Sequence, residues 1–233
     1  MQQDLLAYLR GNAYPGRGIA AGRGAGGRYD MAVYFIMGRS VNSRNRVFEP
    51  TEDGIRTAPY DPAKLQDPSL VIYHPVRRYN GRLIVTNGDQ TDTIRDALAA
   101  NGSFRSALDT RTFEPDAPNY TPRISALIDP DGSFQMAILK SDGGSPDRCV
   151  REYYDYAPQP GEGRFLSTYA HDGAPLPSFA GAPMEVALPK LPGPWFTAVW
   201  QSLDAENRVA LFGWSRDRET GEESCTIING KDI

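Results

Sequence analysis

Histidine is nearly absent from this chain: His74 and His171 are the whole complement, far apart in sequence. Two isolated imidazoles make none of the usual zinc sets, and no H-x-x-x-H or C-x-x-C spacing supplements them. Cysteine is as scarce. Cys149 and Cys225 have no metal spacing and no partner motif, as suits thiols in a reducing compartment. No G-x-S-x-G elbow presents a serine, which removes the usual signature of a Ser-His-Asp hydrolase. No apolar run approaches the roughly 18 residues of a membrane span. The start, Met1-Gln2-Gln3-Asp4, lacks the basic and apolar regions of a secretory leader, so the expected compartment is the cytoplasm. Lysine is limited to Lys64, Lys140, Lys190 and Lys231, so arginine carries most of the positive charge. The net charge of -4 argues against a broad basic face for nucleic acid, while leaving room for one local anion site.

What the chain does have is a dense polar stretch after an apolar run. Ala32 to Met37 leads into Gly38-Arg39-Ser40-Val41-Asn42-Ser43-Arg44-Asn45-Arg46. Arginine presents a planar, permanently charged fork that matches phosphate or carboxylate oxygens two at a time. Asn and Ser add groups that can read a polar small molecule. A loop of this kind after a buried strand has the make-up of an anion site, or of a solvated basic loop making surface ion pairs.

The surrounding pattern is mostly short strands. Asp4 to Leu9 reads as a helical lead-in ended by Gly11. The glycines that follow miss the dinucleotide fingerprint, because Gly16-x-Gly18-x-x-x-Gly22 has the wrong spacing, and no Gly-Lys-Ser/Thr marks a P-loop. Arg17 to Ala21 and Met31 to Arg39 read as a hairpin across Gly22 to Arg28. Thr51 to Asp67 reads as loop. Leu70 to Tyr73 reads as a strand, His74 to Gly81 as a turn and Arg82 to Thr86 as the returning strand. A helix is expected over Thr93 to Ala100, capped by Asp89 or Thr91 and stopped at Asn101-Gly102. Arg123 to Ile128 and Phe134 to Leu139 flank the turn Asp129-Pro130-Asp131-Gly132. Val150 to Tyr156 and Arg164 to Tyr169 form another pair. Pro158 to Pro194 is rich enough in proline to be expected to wrap over a surface. Trp195 to Leu203 fits helix or strand, and Arg208 to Trp214 with Ser224 to Ile228 closes the chain as a hairpin. The sum is an α+β protein dominated by antiparallel sheet, expected as two sheets face to face with helices outside, in one domain over residues 1–233.

Polar groups cluster at the expected strand ends: Arg39, Asn42, Arg44 and Arg46, then Tyr73, then Asn87, Asp89 and Asp92, then Glu114 and Arg123. Together they offer an anion clamp, a phenol and a carboxylate. Such a set could run acid–base chemistry on a nucleotide without a metal or organic cofactor.

Three blocks in order carry a family resemblance. They are Met37-Gly38-Arg39-Ser40-Val41-Asn42-Ser43-Arg44, then Asn80-Gly81 with Ile84-Val85-Thr86-Asn87-Gly88-Asp89-Gln90-Thr91-Asp92, then Tyr120-Thr121-Pro122-Arg123-Ile124. Over about Tyr14 to Leu139 the chain resembles the archaeal-type inosine monophosphate (IMP) cyclohydrolase family. The resemblance implies a four-layer αββα sandwich of two mainly antiparallel sheets, similar to N-terminal nucleophile hydrolases. It implies closure of the purine ring of 5-formamidoimidazole-4-carboxamide ribotide to IMP and water, the last step of de novo purine synthesis, with no cofactor and no metal. Carried onto this sequence, Arg44, Tyr73 and Glu114 are the expected catalytic residues. Arg17, Arg39, Ser40, Asn42, Arg46, Asn87, Gly88, Asp89, Asp92 and Arg123 are expected to bind the substrate. The implied partner is a purine ribonucleotide, with neither nucleic acid nor membrane; homo-oligomerisation is left open. Two alternatives stay beside this one: a nucleotide amide hydrolase on the same scaffold, and a purine-nucleotide-binding module without turnover. The segment from Pro158 to Pro194 and the end of the chain depart from the family pattern, and no Ser, Thr or Cys begins the chain.

Overall fold

Hairpins chosen by local turn chemistry build both sheets. The computed structural model describes residues 2–64 and 72–232. Strands β1 (Arg17–Arg23), β2 (Tyr29–Met37), β10 (Glu162–Ser167), β11 (Met184–Ala187), β12 (Arg208–Asp217) and β13 (Glu223–Asn229) form a six-stranded sheet in the order β11-β10-β1-β2-β12-β13. Strands β3 (Arg46–Thr51), β4 (Gly54–Pro59), β5 (Val76–Tyr79), β6 (Arg82–Thr86), β7 (Arg123–Ile128), β8 (Phe134–Ser141) and β9 (Cys149–Tyr156) form a seven-stranded sheet in sequence order. Ladder neighbours run antiparallel in both.

The alternation along each strand sorts side chains into three packed layers. Between the sheets, Ile19, Tyr34, Ile36, Phe212 and Trp214 meet Phe48, Ile55, Val85, Ile124 and Ile138. On the far side of the six-stranded sheet, Ala20, Val33, Phe35 and Leu211 pack under helices α1 (Leu5–Arg10) and α5 (Pro192–Ser202). On the far side of the other sheet, Ile84, Leu127, Ala137 and Leu139 pack under α3 (Gln90–Ala99) and α4 (Phe104–Asp109). The layers therefore run helix, sheet, sheet, helix. Gly18 is required where the Phe35 and Phe165 rings stack across the sheet, since a Cβ there would collide with both. The Asn229 side chain accepts from Phe48 N–H at 2.8 Å and donates to Phe48 C=O at 3.2 Å, tying β13 to β3 at the edges of the two sheets.

Several sequence expectations change. Residues 54–59, within the stretch expected as loop from Thr51, pair with residues 46–51 as the β3–β4 hairpin. β4 continues the inward alternation through Ile55 and Thr57, which the nearby prolines mask in a propensity reading. The strand expected over Leu70 to Tyr73 lies partly outside the described residues, and Ile72 and Tyr73 are not in a strand; β5 begins at Val76 inside the expected turn. The helix expected from Thr93 begins at Gln90, and a further helix, α4, was missed. Its start is a capping box in which Ser103 and Ser106 bond each other's backbone N–H groups. Trp195 to Leu203 resolves as helix, entered through Pro192 in the first turn. Within the Pro-rich segment, Met184–Ala187 adds an edge strand.

Candidate active site

Two arginines begin strands and enter the space between the sheets at the same end. Ile19 and Ala21 face the inter-sheet core, so Arg17, two residues earlier on the same strand, faces it too. Phe48 places Arg46 in the same way. Arg46 is buried, and its Nε donates to Ser43 O at 3.0 Å. Arg17 Nε is buried without a hydrogen-bond partner, while its backbone N–H donates to Thr168 Oγ1 at 3.1 Å. Among the described residues no carboxylate forms an ion pair with either guanidinium. Burial and the neighbouring charge of Arg17 both pull the Arg46 pKa below its ordinary value. For Arg17 burial acts the same way but is outweighed by Glu114 and the phenols of Tyr169, Tyr14 and Tyr73, so its pKa is held up. Two like charges, one buried and one half-buried, without a bonded counter-ion are costly, and a bound anion would relieve that cost.

Phenols and one carboxyl surround this pair. The Tyr34 and Tyr73 hydroxyls lie 3.2 Å apart, with the Tyr34 ring stacked on Phe48. Tyr73 is fixed by its backbone: its N–H donates to Thr57 Oγ1 at 3.0 Å and its C=O accepts from Thr57 N–H at 2.9 Å. Burial, then the Tyr73 phenol, push the Tyr34 pKa well above the ordinary tyrosine value. Glu114 is 7% exposed, and its carboxyl has no hydrogen-bond partner among the described residues. Burial raises its pKa against the pull of Arg17 and Arg123, which favours the neutral acid relative to an exposed glutamate.

The Asn-Gly-Asp motif at residues 87–89 builds a cradle for Arg123. Asn87 is fully engaged: Nδ2 donates to Pro122 O, and Oδ1 accepts from Ile124 N–H and Gln90 Nε2. Arg123 Nη1 lies 2.6 Å from Gln90 Oε1 and 2.7 Å from Asp89 Oδ1. Asp89 also pairs with Arg111 at 2.5 Å, and these two arginines outweigh burial to hold its pKa down. A Cβ at Gly88 would displace Arg123 Nη1 and Gln90 Oε1 from the positions this network gives them. Asp89 occupies the cap position of α3, but its side chain makes no cap bond, having been drawn to the arginines.

The remaining expected residues spread outward. Arg39 stands at the rim, with its guanidinium 4.9 Å from the Tyr14 ring centre and Nη1 bonded to Asp172 Oδ1 and Gly173 O. Ser40 caps the single-turn helix α2 (Val41–Arg44) by a reciprocal bond with Ser43. Asn42 Oδ1 is buried without a partner. Arg44 braces the loop, donating to Gly38 O at 2.9 Å and Asn207 Oδ1 at 3.0 Å, and it lines an outer groove with Val41, Tyr60 and Lys231. Asp92 bonds Arg77 at 2.5 Å, in a separate network with Asp53 and His74. The structure thus gathers Arg17, Arg46, Tyr73, Glu114 and Arg123, and gives Arg44, Asn87 and Asp92 other bonds. Sequence reasoning missed Tyr34, Tyr14, Tyr169 and the Asp116–Thr121 pair. Tyr34 was readable, since it alternates with Ala32 and Ile36 on the inner face. Tyr169 ends the strand expected over Arg164 to Tyr169, a position that does not announce its contact with Thr121.

Among the described residues no group of three or more His, Cys, Asp or Glu side chains is placed to hold a metal ion. A two-sheet sandwich with arginines that lack a bonded carboxylate, phenols and a carboxyl of raised pKa at one end of the inter-sheet space defines a protein fitted to a small anionic ligand on which protons can be moved. The chain belongs to the IMP cyclohydrolase-like protein family, whose model matches residues 14–221. It is 32% identical over 168 residues to an IMP cyclohydrolase of Methanopyrus kandleri, covering 71% of this chain and 79% of that relative. It is 29% identical to one of Halobacterium salinarum over 115 residues, 48% of this chain and 58% of the relative. For one of Methanococcus aeolicus the figures are 26% over 133 residues, 55% and 64%. Among the described residues no helix is long and apolar enough to cross a membrane.

Proposed function

We propose that the protein is an IMP cyclohydrolase, closing the purine ring of 5-formamidoimidazole-4-carboxamide ribotide to give IMP and water. The observation that carries this reading is the pair of unneutralised guanidiniums, Arg17 and Arg46, beside the Tyr73–Tyr34 hydroxyls and the raised carboxyl of Glu114. The carboxamide nitrogen attacks the formyl carbon, and a carbinolamine forms before water leaves. Amide nitrogen is a weak nucleophile, so the oxygen gaining charge needs a donor and the nitrogen losing a proton needs an acceptor. Arg17 and Arg46 hold the ribotide phosphate, with Arg39 at the rim. Tyr73, backed by Tyr34, donates to the formyl oxygen; the Glu114 carboxyl, whose pKa burial raises, gives a proton there in its acid form and, as the carboxylate, takes the one the nitrogen loses. Arg123, held by Asp89 and Gln90, completes the wall beside Glu114; Ser40, Asn42 and Gly88 shape the loops around the ligand. Holding both reacting groups of one molecule in contact removes several kcal/mol of barrier, about 7–11 at best.

The fold is N-terminal nucleophile hydrolase-like in this reading, supported by two stacked antiparallel sheets between helical layers. Residues 1–233 act as one domain, since the six-stranded sheet draws strands from both ends of the chain. The enzyme works in the cytoplasm on a purine ribonucleotide. Incubating purified protein with the formamido ribotide and following IMP absorbance tests the assignment. Steady conversion is expected; tight binding of the ribotide without turnover would reduce the protein to a binding module, and formate release would make it an amide hydrolase.

A further inference from the structure

A chain of three side chains ends in the same mouth with a fixed direction. Asp116 Oδ1 accepts from Thr121 N–H at 2.6 Å, and Asp116 Oδ2 accepts from Thr121 Oγ1 at 2.5 Å. Thr121 Oγ1 also lies 2.6 Å from the Tyr169 hydroxyl. A threonine hydroxyl has one hydrogen. Because that hydrogen goes to the carboxylate, Tyr169 must be the donor in the Tyr169–Thr121 bond. The phenol oxygen of Tyr169 then offers only lone pairs to anything else. Tyr169 is 2% exposed, stacks on the Tyr14 ring at 6.0 Å between centroids, and is electrostatically coupled to Arg17. Thr121 belongs to the same frame, since its C=O accepts from Glu114 N–H at 2.9 Å.

The rest of the mouth is rich in donors: Arg17, Arg46 and Arg123. Acceptors are few, and most of the ribotide is itself acceptor. Its phosphate, formyl and carbonyl oxygens suit the arginines and phenols. The carboxamide N–H groups are the exception and need an oxygen with a free lone pair. Taking the proposed function as its basis, we infer that Tyr169 accepts a hydrogen bond from the ligand's carboxamide nitrogen. Asp116 and Thr121 are positioning residues that keep Tyr169 an acceptor, so the site takes the carboxamide and rejects the isosteric carboxylate. The same bond aims the nitrogen lone pair that must attack.

The test is binding of two inert ribotides by calorimetry, so that turnover plays no part. One is the 5-amino-4-carboxamide imidazole ribotide, which lacks the formyl group; the other carries a 4-carboxylate in place of the amide. The unaltered protein should bind the amide at least about tenfold more tightly than the acid, as a site built to bond a ligand N–H rejects the analogue lacking it. Thr121→Val should erode that ratio about tenfold, and Thr121→Ser, which keeps the hydroxyl, should restore it. A purely structural Thr121 would lower the melting temperature of the valine variant and leave the ratio intact, which overturns the inference. Equal binding of amide and acid by the unaltered protein overturns it too. If Thr121→Val does not fold, Asp116→Asn carries the same ratio test, since an amide there can donate and frees Tyr169 to reverse its hydroxyl. Failure to bind either ribotide, together with no turnover of the formamido compound, would instead defeat the proposed function.

Discussion

The two ends of the inter-sheet space hold the same kinds of residue in opposite states. At the far end, Arg23, Asp30 and Arg216 lie directly across three neighbouring strands, all on inward-facing positions. Asp30 is 1% exposed, lies 3.0 Å from Arg23 and 3.5 Å from Arg218, and has Arg216 at 3.8 Å. The guanidiniums also reach the opposite sheet: Arg216 donates to Gly81 O and Asp129 O, and Arg23 to Asp131 O. At the near end, Arg17 and Arg46 face each other's charge, Arg17 Nε has no partner, and Glu114 makes no side-chain hydrogen bond among the described residues. One end spends its arginines as a clasp between the sheets. The other keeps them free at a cost in stability, as binding sites commonly do.

Breaking the clasp should have the largest effect on stability. Asp30→Ala leaves buried guanidiniums without their carboxylate, a change that costs about 3–5 kcal/mol. Chemical denaturation should show that loss, while kcat per folded molecule stays near normal. The converse change, Arg17→Met, removes one of two repelling charges and keeps the bulk. Its melting temperature should not fall, whereas kcat/KM for the formamido ribotide should drop by about 10²–10³-fold, as expected for losing charge-assisted bonds in a buried site. A destabilised Arg17→Met protein with normal kinetics would make both ends structural.

Tyr73 sharpens the contrast within the near end. Tyr73→Phe keeps the ring and removes only the hydroxyl that faces Tyr34. If that hydroxyl meets the formyl oxygen as charge builds, kcat falls about 10²–10³-fold with little change in KM. Near-normal kcat with a modest loss of stability would assign the phenol to packing. Glu114 gives a smaller effect with a defined pH sign. Its pKa is raised in the folded protein, so the folded state holds a proton that the unfolded chain releases. Its contribution to stability is present below the ordinary glutamate range and is lost as pH rises through the raised value. Glu114→Gln should therefore flatten the fall of melting temperature across that window, and should also remove the limb on which kcat declines as the acid ionises.

How far this contrast was legible in the sequence depends on what carried each residue inward. Arg17 begins a strand legible in the sequence, and two-residue alternation from Ile19 suffices to aim it; Arg46 is aimed the same way from Phe48, but on β3, a strand the sequence pattern does not announce. The closing hairpin at β12–β13 was legible for the same reason. Asn87 and Asp89 were legible as a motif, but the bonds their side chains make, to Pro122, Ile124, Gln90 and Arg123, were not. Tyr169 follows directly on β10, but Asp172 reaches the rim because the proline-rich segment folds back past that strand. Such a return depends on tertiary bonds like Leu176 N–H to Asn119 Oδ1, which leave no periodic trace. Asp30 falls between the expected turn and the expected strand, and although Arg23 is its hairpin neighbour, Arg216 and Arg218 come from far along the chain.

The smallest predicted effect concerns the rim, where the free and paired states meet. Arg39 is paired with Asp172, and the two side chains are 39% and 51% exposed. An exposed ion pair of this sort is worth about 0.2–1 kcal/mol, much less than a charge-assisted bond to a dianionic phosphate. If the ribotide phosphate recruits Arg39, it must first displace Asp172. Arg39→Ala then weakens the ribotide about tenfold while sparing the phosphate-free riboside. Asp172→Asn removes the competitor and should tighten the ribotide by no more than about fivefold, the factor that the ion pair's worth allows. Because the pair is exposed, raising the salt concentration should shrink the difference between Asp172→Asn and the unaltered protein. Equal losses for ribotide and riboside in Arg39→Ala, with no change in Asp172→Asn, would place Arg39 with the clasp arginines as a structural brace, and leave Arg17 and Arg46 to hold the phosphate alone.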